Sequence, residues 1–399
     1  MASSQFSFAP RLKPAAVRSA MILDSGDSIT QSRRTRRHRC RRIRTGRIGK
    51  PLDNPRFTLS VANVDSVNIA RMNPPKIVVP DDCPALLATS PAFQTLQRET
   101  TGIKYFNNLP GSVERLIERI RDAEVVINVR SSSIFSSEVF QSCPGLRLVS
   151  VWGTGTDNVD LAAAAKHAVT VTNTPAVSAG SVAEHALTLM LAVARRIPMQ
   201  DAAVRRGNWL RGQGTELRGK TLGIVGLGAI GRRFAELGQG IGMRVIAWTL
   251  HPRPSLNIEL VEFDDLLRES DVVSVHVRLS DQTKGLIGRR EFSMMKATSI
   301  LINTARGAIV DEAALIDALT SNGIAAAGLD VFSMEPLPAG HALTALDNVV
   351  LTPHCAGVTP EALEAGLQMA VDNVRSFLAG APVNVVLPHA EFSSFARHP

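Results

Sequence analysis

Paired cysteines, an apolar run of membrane-spanning length and any acid near the amino terminus are all missing from this 399-residue chain. The four cysteines, Cys40, Cys83, Cys143 and Cys355, are scattered, so neither a disulfide framework nor a zinc site is indicated. A reducing compartment, the cytoplasm, is therefore expected. The longest apolar stretch, Val182 to Ala194, carries Glu184 and His185. It falls well short of the ~20 residues that span a bilayer, so no membrane partner is expected and the protein should be soluble.

No Asp or Glu precedes Asp24, whereas Arg33 to Arg47 is an arginine run interrupted by His38 and Cys40. Residues 1–71 hold 15 Lys and Arg against 4 Asp and Glu, so of the net +8 they carry +11 and the remainder carries −3. The basic character belongs to this extension, which lacks sustained periodicity, and the rest has the charge of an ordinary soluble enzyme. Three readings of the extension stand. It is a disordered leader or a misassigned start, with Met72 as the true first residue; an organelle transit peptide; or an arm that contacts phosphates. A nucleic-acid partner is not expected.

At ~100–200 residues per domain the length predicts two globular domains. From Lys76 onward strands and helices alternate. Ile77-Val78-Val79 reads as a buried strand, and Val113, Leu116, Ile117 and Ile120 mark one face of a helix. Further strands are expected over 124–129, 146–151 and 169–171. A long helix capped by Ser178 or Ser181 runs to about Arg196, with Pro198 ending it. A second series of strands begins at Thr221 and continues over 244–248, 271–276, 299–302, 325–329 and 349–351, before a last helix near 360–378. The fold class is therefore α/β, with parallel sheets covered on both faces. No room is expected after that helix for a further regulatory domain.

Gly226-Leu227-Gly228-Ala229-Ile230-Gly231 lies between a strand, Thr221 to Val225, and a helix from Ala229. That context makes it a dinucleotide fingerprint. Gly226 permits the turn, Gly228 the approach of the pyrophosphate, and Gly231 close helix–strand packing, with the anion at the helix N-terminus along Ala229 and Ile230. The next strand ends at Thr249, where NAD-specific sites usually carry an acid for the 2′-hydroxyl. A missing carboxylate there removes repulsion against a 2′-phosphate, and Arg253 follows. NADP is therefore favoured over NAD, with Arg278 a further cation able to reach that region.

Three later segments hold a permanent cation, an acid and a histidine: Arg306 in Asn303 to Gly307, Glu335 in Leu329 to Pro336, and His354 in Thr352 to His354. With Gly153 to Asp160, Ser181 to Ala186 and the glycine motif, they resemble the D-isomer-specific 2-hydroxyacid dehydrogenase family over most of residues 76–388. The resemblance implies two Rossmann-like domains. The substrate domain is discontinuous, 76–175 and 359–388, around a dinucleotide domain at 176–358, and the assembly is commonly a homodimer.

It also implies roles. Arg306 grips a small 2-oxo or 2-hydroxy acid, His354 is the general acid, and Glu335 hydrogen-bonds His354. Backbone N–H groups around Thr154 and Gly155 bind the substrate carboxylate, and Asp330 and Thr304 contact the cofactor. His185 and His276 read as structural or cofactor-rim residues, and no metal is expected. Arg130 and Ser131 resemble a substrate-contacting segment of phosphoglycerate dehydrogenases. Val151, however, stands where those enzymes usually have arginine, so glyoxylate or hydroxypyruvate fits better. Phosphoglycerate dehydrogenase activity, and a dinucleotide-sensing role like that of the family's corepressor relatives, are the alternatives.

Overall fold

The computed structural model describes residues 74–387 apart from Pro84, Thr101, 130–132 and 253–257. The basic extension, Met72, Arg130, Ser131 and Arg253 lie outside the described residues.

The first sheet contains β1 (Ile77–Val79), β2 (Lys104–Tyr105), β3 (Val125–Val129), β4 (Leu148–Trp152) and β5 (Thr170–Thr172). All pairings are parallel, in the order β2-β1-β3-β4-β5. Every residue of β1, β3 and β4 is buried, as a sheet covered on both faces requires. Alternate side chains enter different cores. Val78, Val126 and Val149 pack with Ile117, Ile120 and Phe140, while Ile77, Val79 and Val125 pack with Phe93, Leu96 and Leu367.

The second sheet contains β6 (Thr221–Val225), β7 (Arg244–Trp248), β8 (Glu259–Leu260), β9 (Val272–Val275), β10 (Ile300–Asn303), β11 (Ala326–Leu329) and β12 (Val349–Leu351). It is also parallel throughout, ordered β12-β11-β10-β9-β6-β7-β8. The strand order reverses at β1/β3 in one sheet and at β6/β9 in the other. In open parallel sheets such reversals leave ligand-binding crevices at the carboxyl ends of the strands.

The expected helix face at Leu116, Ile117 and Ile120 is buried, and Ser112 caps it through Arg115 N–H. Helix Pro360–Leu378 returns to the first sheet. It buries Leu367, Val371 and Val374, each a contribution of about 1.5–3 kcal/mol, and Ser150 donates a 3.0 Å hydrogen bond to the Ala370 carbonyl.

Pro198 does not end the long helix. That helix, Ala179–Ala194, stops before Arg196, which takes a left-handed φ of 54°. Pro198 lies in the first turn of the next helix, Ile197–Arg205, where its missing N–H costs no helical bond. Ser178 holds the N-cap position of the long helix without a side-chain bond. Ser181 instead meets Thr359, the N-cap of the last helix, at 2.9 Å.

Candidate active site

A cleft of about 860 Å³ opens where the strands of both sheets end. Gly153 to Gly155 follow β4, Gly228 to Ile230 follow β6, Thr304 to Gly307 follow β10, Asp330 follows β11 and His354 follows β12.

Local hydrogen bonds aim the three chemical side chains into this cleft. The Asn303 carboxamide accepts from Ala305 N–H and donates to the Arg306 carbonyl, both at 3.0 Å, closing the turn that presents Arg306. Glu335 Oε1 accepts from Phe332 N–H at 3.0 Å, and its Oε2 lies 2.6 Å from His354 Nδ1. Burial would raise the Glu335 carboxyl, but the His354 bond, the Phe332 N–H and the charges of His354 and Arg306 hold it below the usual range. It is therefore a carboxylate at neutral pH. Because it engages Nδ1, Nε2 is the His354 nitrogen left for proton exchange.

The segment carrying His354 is built on Asp330. Its Oδ1 accepts from Thr352 Oγ1 at 2.6 Å and Cys355 N–H at 2.9 Å, and its Oδ2 from Ala356 N–H at 2.8 Å. His354 itself, at a left-handed φ of 51°, donates its N–H to the Asp330 carbonyl. The resemblance implies a cofactor contact for Asp330; what the geometry shows is that it orders the histidine's loop.

The other end of the cleft fits a dinucleotide. Gly226 has φ 102°, and a Cβ there would come within 2.7 Å of Val277 N. A Cβ on Gly231 would run into the Gly226 carbonyl oxygen, whereas Gly228 faces open space. Helix Ala229–Gly240 begins without a side-chain cap, leaving its first N–H groups for an anion. Thr304 Oγ1, on the cleft wall, is buried without a partner among the described residues, and such a hydroxyl suits a ligand acceptor or donor.

Thr249 follows β7 and is not among the residues that line the cleft. Arg278 turns away from the region suggested for it. Its Nη2 donates to Thr156 Oγ1 at 3.2 Å, because it follows β9, which β6 separates from β7. His185 Nε2 meets Thr352 Oγ1 at 3.0 Å and so supports the Asp330 network. His276 meets Ser274 Oγ at 2.9 Å and packs against Phe234, and burial pushes its pKa down to about 3.

Comparison with known proteins agrees with this geometry. The family model for the NAD-binding domain of D-isomer-specific 2-hydroxyacid dehydrogenases matches residues 187–356. A glyoxylate reductase from Aeropyrum pernix is 43% identical over 291 residues, covering 69% of this chain and 87% of the relative. The chain belongs to the D-isomer-specific 2-hydroxyacid dehydrogenase family.

A D-3-phosphoglycerate dehydrogenase from Archaeoglobus fulgidus is 42% identical over 71% of this chain, which spans only about half, 55%, of that relative. An acyclic imino acid reductase solved with NADPH and D-Arg superposes with a TM-score of 0.73 at 30% identity, covering 78% of this chain and all of the other. As a member of this dehydrogenase family, the protein is an oxidoreductase acting on CH–OH donors with a nicotinamide cofactor.

Two contacts of this dehydrogenase escape sequence reasoning. Arg306 Nη2 and Nε donate to the two oxygens of Asp157 at 3.1 and 3.3 Å, and Arg278 reaches the neighbouring Thr156. Asp157 belongs to the Gly153–Asp160 fingerprint, but no local signal pairs it with a residue 149 positions away.

Proposed function

We propose that this dehydrogenase reduces a small 2-oxo acid of the glyoxylate or hydroxypyruvate type, with NADPH preferred to NADH. The observation that carries the reading is the convergence of Arg306, Glu335 and His354 in one cleft, with the 2.6 Å bond between His354 and Glu335. The nicotinamide, when bound, supplies the hydride. Arg306 binds and polarises the 2-oxo acid through its planar fork. Backbone groups at Thr154 and Gly155 take the carboxylate. His354 delivers the Nε2 proton to the ketone oxygen, and Glu335 stabilises the ring's orientation and charge.

Gly226 to Gly231 hold the pyrophosphate, with Thr304 and Asp330 at the nicotinamide end. The absence of a carboxylate at Thr249 supports NADPH. Val151 offers no cation where phosphoglycerate dehydrogenases usually have arginine, which supports a substrate without a phosphate.

In this reading residues 76–175 and 359–388 carry the substrate side and 176–358 the cofactor side. A homodimer is supported by the exposed apolar side chains Ile197, Val204, Trp209 (76% exposed) and Leu210. Free Cys143 and Cys355 suit the reducing cytoplasm, and among the described residues no helix is long and apolar enough to cross a membrane.

The test follows absorbance of NADPH, and separately NADH, with glyoxylate, hydroxypyruvate and phosphorylated 2-oxo acids. Rapid NADPH oxidation with the first two is expected. Consumption of neither cofactor across the panel would contradict the reading, and a preference for NADH would overturn its cofactor part.

A further inference from the structure

Arg306 does not stand alone in the cleft. Its Nε and Nη2 edge is clamped by both oxygens of Asp157, and its Nη1 donates to the Ala305 carbonyl at 2.8 Å. A guanidinium has five N–H donors, so one N–H remains on each terminal nitrogen. That is the number needed by a carboxylate, or by the carboxylate and ketone oxygens of a 2-oxo acid. Nη2 also lies hard against Gly155, where any Cβ would collide with it. The spare donor on Nη2 therefore sits at the backbone segment assigned to the substrate's carboxylate.

Two explanations compete. Asp157 either occupies a seat that the substrate must take, or holds the guanidinium so that its remaining donors face the substrate. The surroundings favour the second, because the loop is pinned on both sides of Asp157. Asn173 Nδ2 donates to the Thr154 carbonyl at 2.7 Å, and Thr154 Oγ1 to the Thr174 carbonyl at 3.1 Å. On the other side, buried Asn158 donates to Asn128 Oδ1 at 2.9 Å and the Ser133 carbonyl at 2.7 Å. Thr156 between them is buried and receives Arg278. Bonds on both sides hold the Asp157 backbone opposite Arg306, which keeps its carboxylate within reach of the guanidinium edge.

We infer that Asp157 is a positioning residue: it clamps one edge of Arg306 across the cleft and thereby presents the guanidinium's two spare donors to the 2-oxo acid. Asp157 acts only through Arg306 and touches neither substrate nor cofactor. Burial raises its carboxyl, but the charge and hydrogen bonds of Arg306, together with Arg278, outweigh burial and keep it ionised at neutral pH. The inference rests on the substrate role assigned to Arg306 above.

The test is a double-mutant cycle of Asp157→Asn and Arg306→Lys, with the wild type assayed beside them on NADPH and glyoxylate. Asp157→Asn should lower kcat/KM roughly 10- to 100-fold, mostly through KM, while cofactor affinity and thermal midpoint stay close to wild type. Lysine has no fork to hold, so adding Asp157→Asn to Arg306→Lys should cost less than about two-fold more. Asp157→Glu should recover part of the loss, which a purely structural role would not predict.

A fall in KM in Asp157→Asn would overturn the inference in favour of competition. Effects that multiply across the cycle would overturn it too, as would a kcat/KM unchanged in Asp157→Asn. If Asp157→Asn does not fold, Asp157→Glu and its cycle with Arg306→Lys decide by the same criteria. A wild type that turns over no 2-oxo acid would sink the substrate reading itself, and the inference with it. Wild-type turnover with a failed cycle sinks the inference alone.

Discussion

Asp81 and Asp330 are both fully buried aspartates just beyond the ends of parallel strands, one beside each sheet, yet their protons behave oppositely. Burial pushes the Asp81 carboxyl up to about 6; the bonds from Val129 N–H (3.0 Å) and Asn128 Nδ2 (2.6 Å) only partly offset it, and the adjacent Asp82 carboxylate adds repulsion. Burial acts on Asp330 in the same direction. There the His185 and Thr352 side chains and the N–H groups of Cys355 and Ala356 win, and the carboxyl is held below its ordinary range. The charge of a buried acid is therefore the balance between how deeply it is enclosed, the charges beside it and the donors aimed at it. Asp330 is ionised and organises the loop of His354, while Asp81 sits in an amide network that runs through Asn128 to Asn158, next to Asp157.

Replacing the ionised member should have the larger effect. In Asp330→Asn an amide nitrogen cannot accept, so one of the Cys355 and Ala356 N–H groups is left without a partner. A loss of about 1–3 kcal/mol of stability is expected. Displacement of the His354 loop should cost roughly 10²-fold in kcat. Denaturant melts and steady-state rates check both, and near-wild-type values would mean that the loop does not depend on this carboxylate.

Asp81 sharpens the contrast through pH. Its folded pKa of about 6 exceeds the ordinary 3.8, so the folded state binds this proton more tightly. The resulting stability, about 3 kcal/mol, is fully present below pH 3.8 and is lost as pH rises through about 6. Asp81→Asn lacks this slope. Urea melts at pH 4 and pH 7 should therefore show the variant gaining on the wild type at the higher pH. The same gap at both values would contradict the assignment.

The fold was readable because its signals are local. Runs such as Val125-Val126-Ile127 are buried on both faces, and Gly226 to Gly231 sits between a strand and a helix. The Arg306, Glu335 and His354 segments follow β10, β11 and β12 in one parallel sheet, so their convergence follows from chain order. Pro198 is ambiguous in the sequence because proline marks either side of a helix boundary, and the break at Arg196 rests on a left-handed residue with no glycine to announce it. Helix Pro91–Glu99, absent from the expected elements, does carry a usable signal, since Ser90 caps it and Pro91 opens it. The Arg306–Asp157 clamp and the path of Arg278 to Thr156 left no local trace. They join distant strand ends across a cleft, and neither periodicity nor motif spacing encodes that closure.

The most direct test of the account compares wild type with His354→Gln, measuring both turnover of glyoxylate with NADPH and NADPH affinity. The account predicts that kcat falls by roughly 10²- to 10⁴-fold while cofactor affinity stays within about two-fold, because the histidine moves a proton and the glycine motif holds the dinucleotide. Turnover retained at the wild-type rate would contradict it and remove His354 from the chemistry.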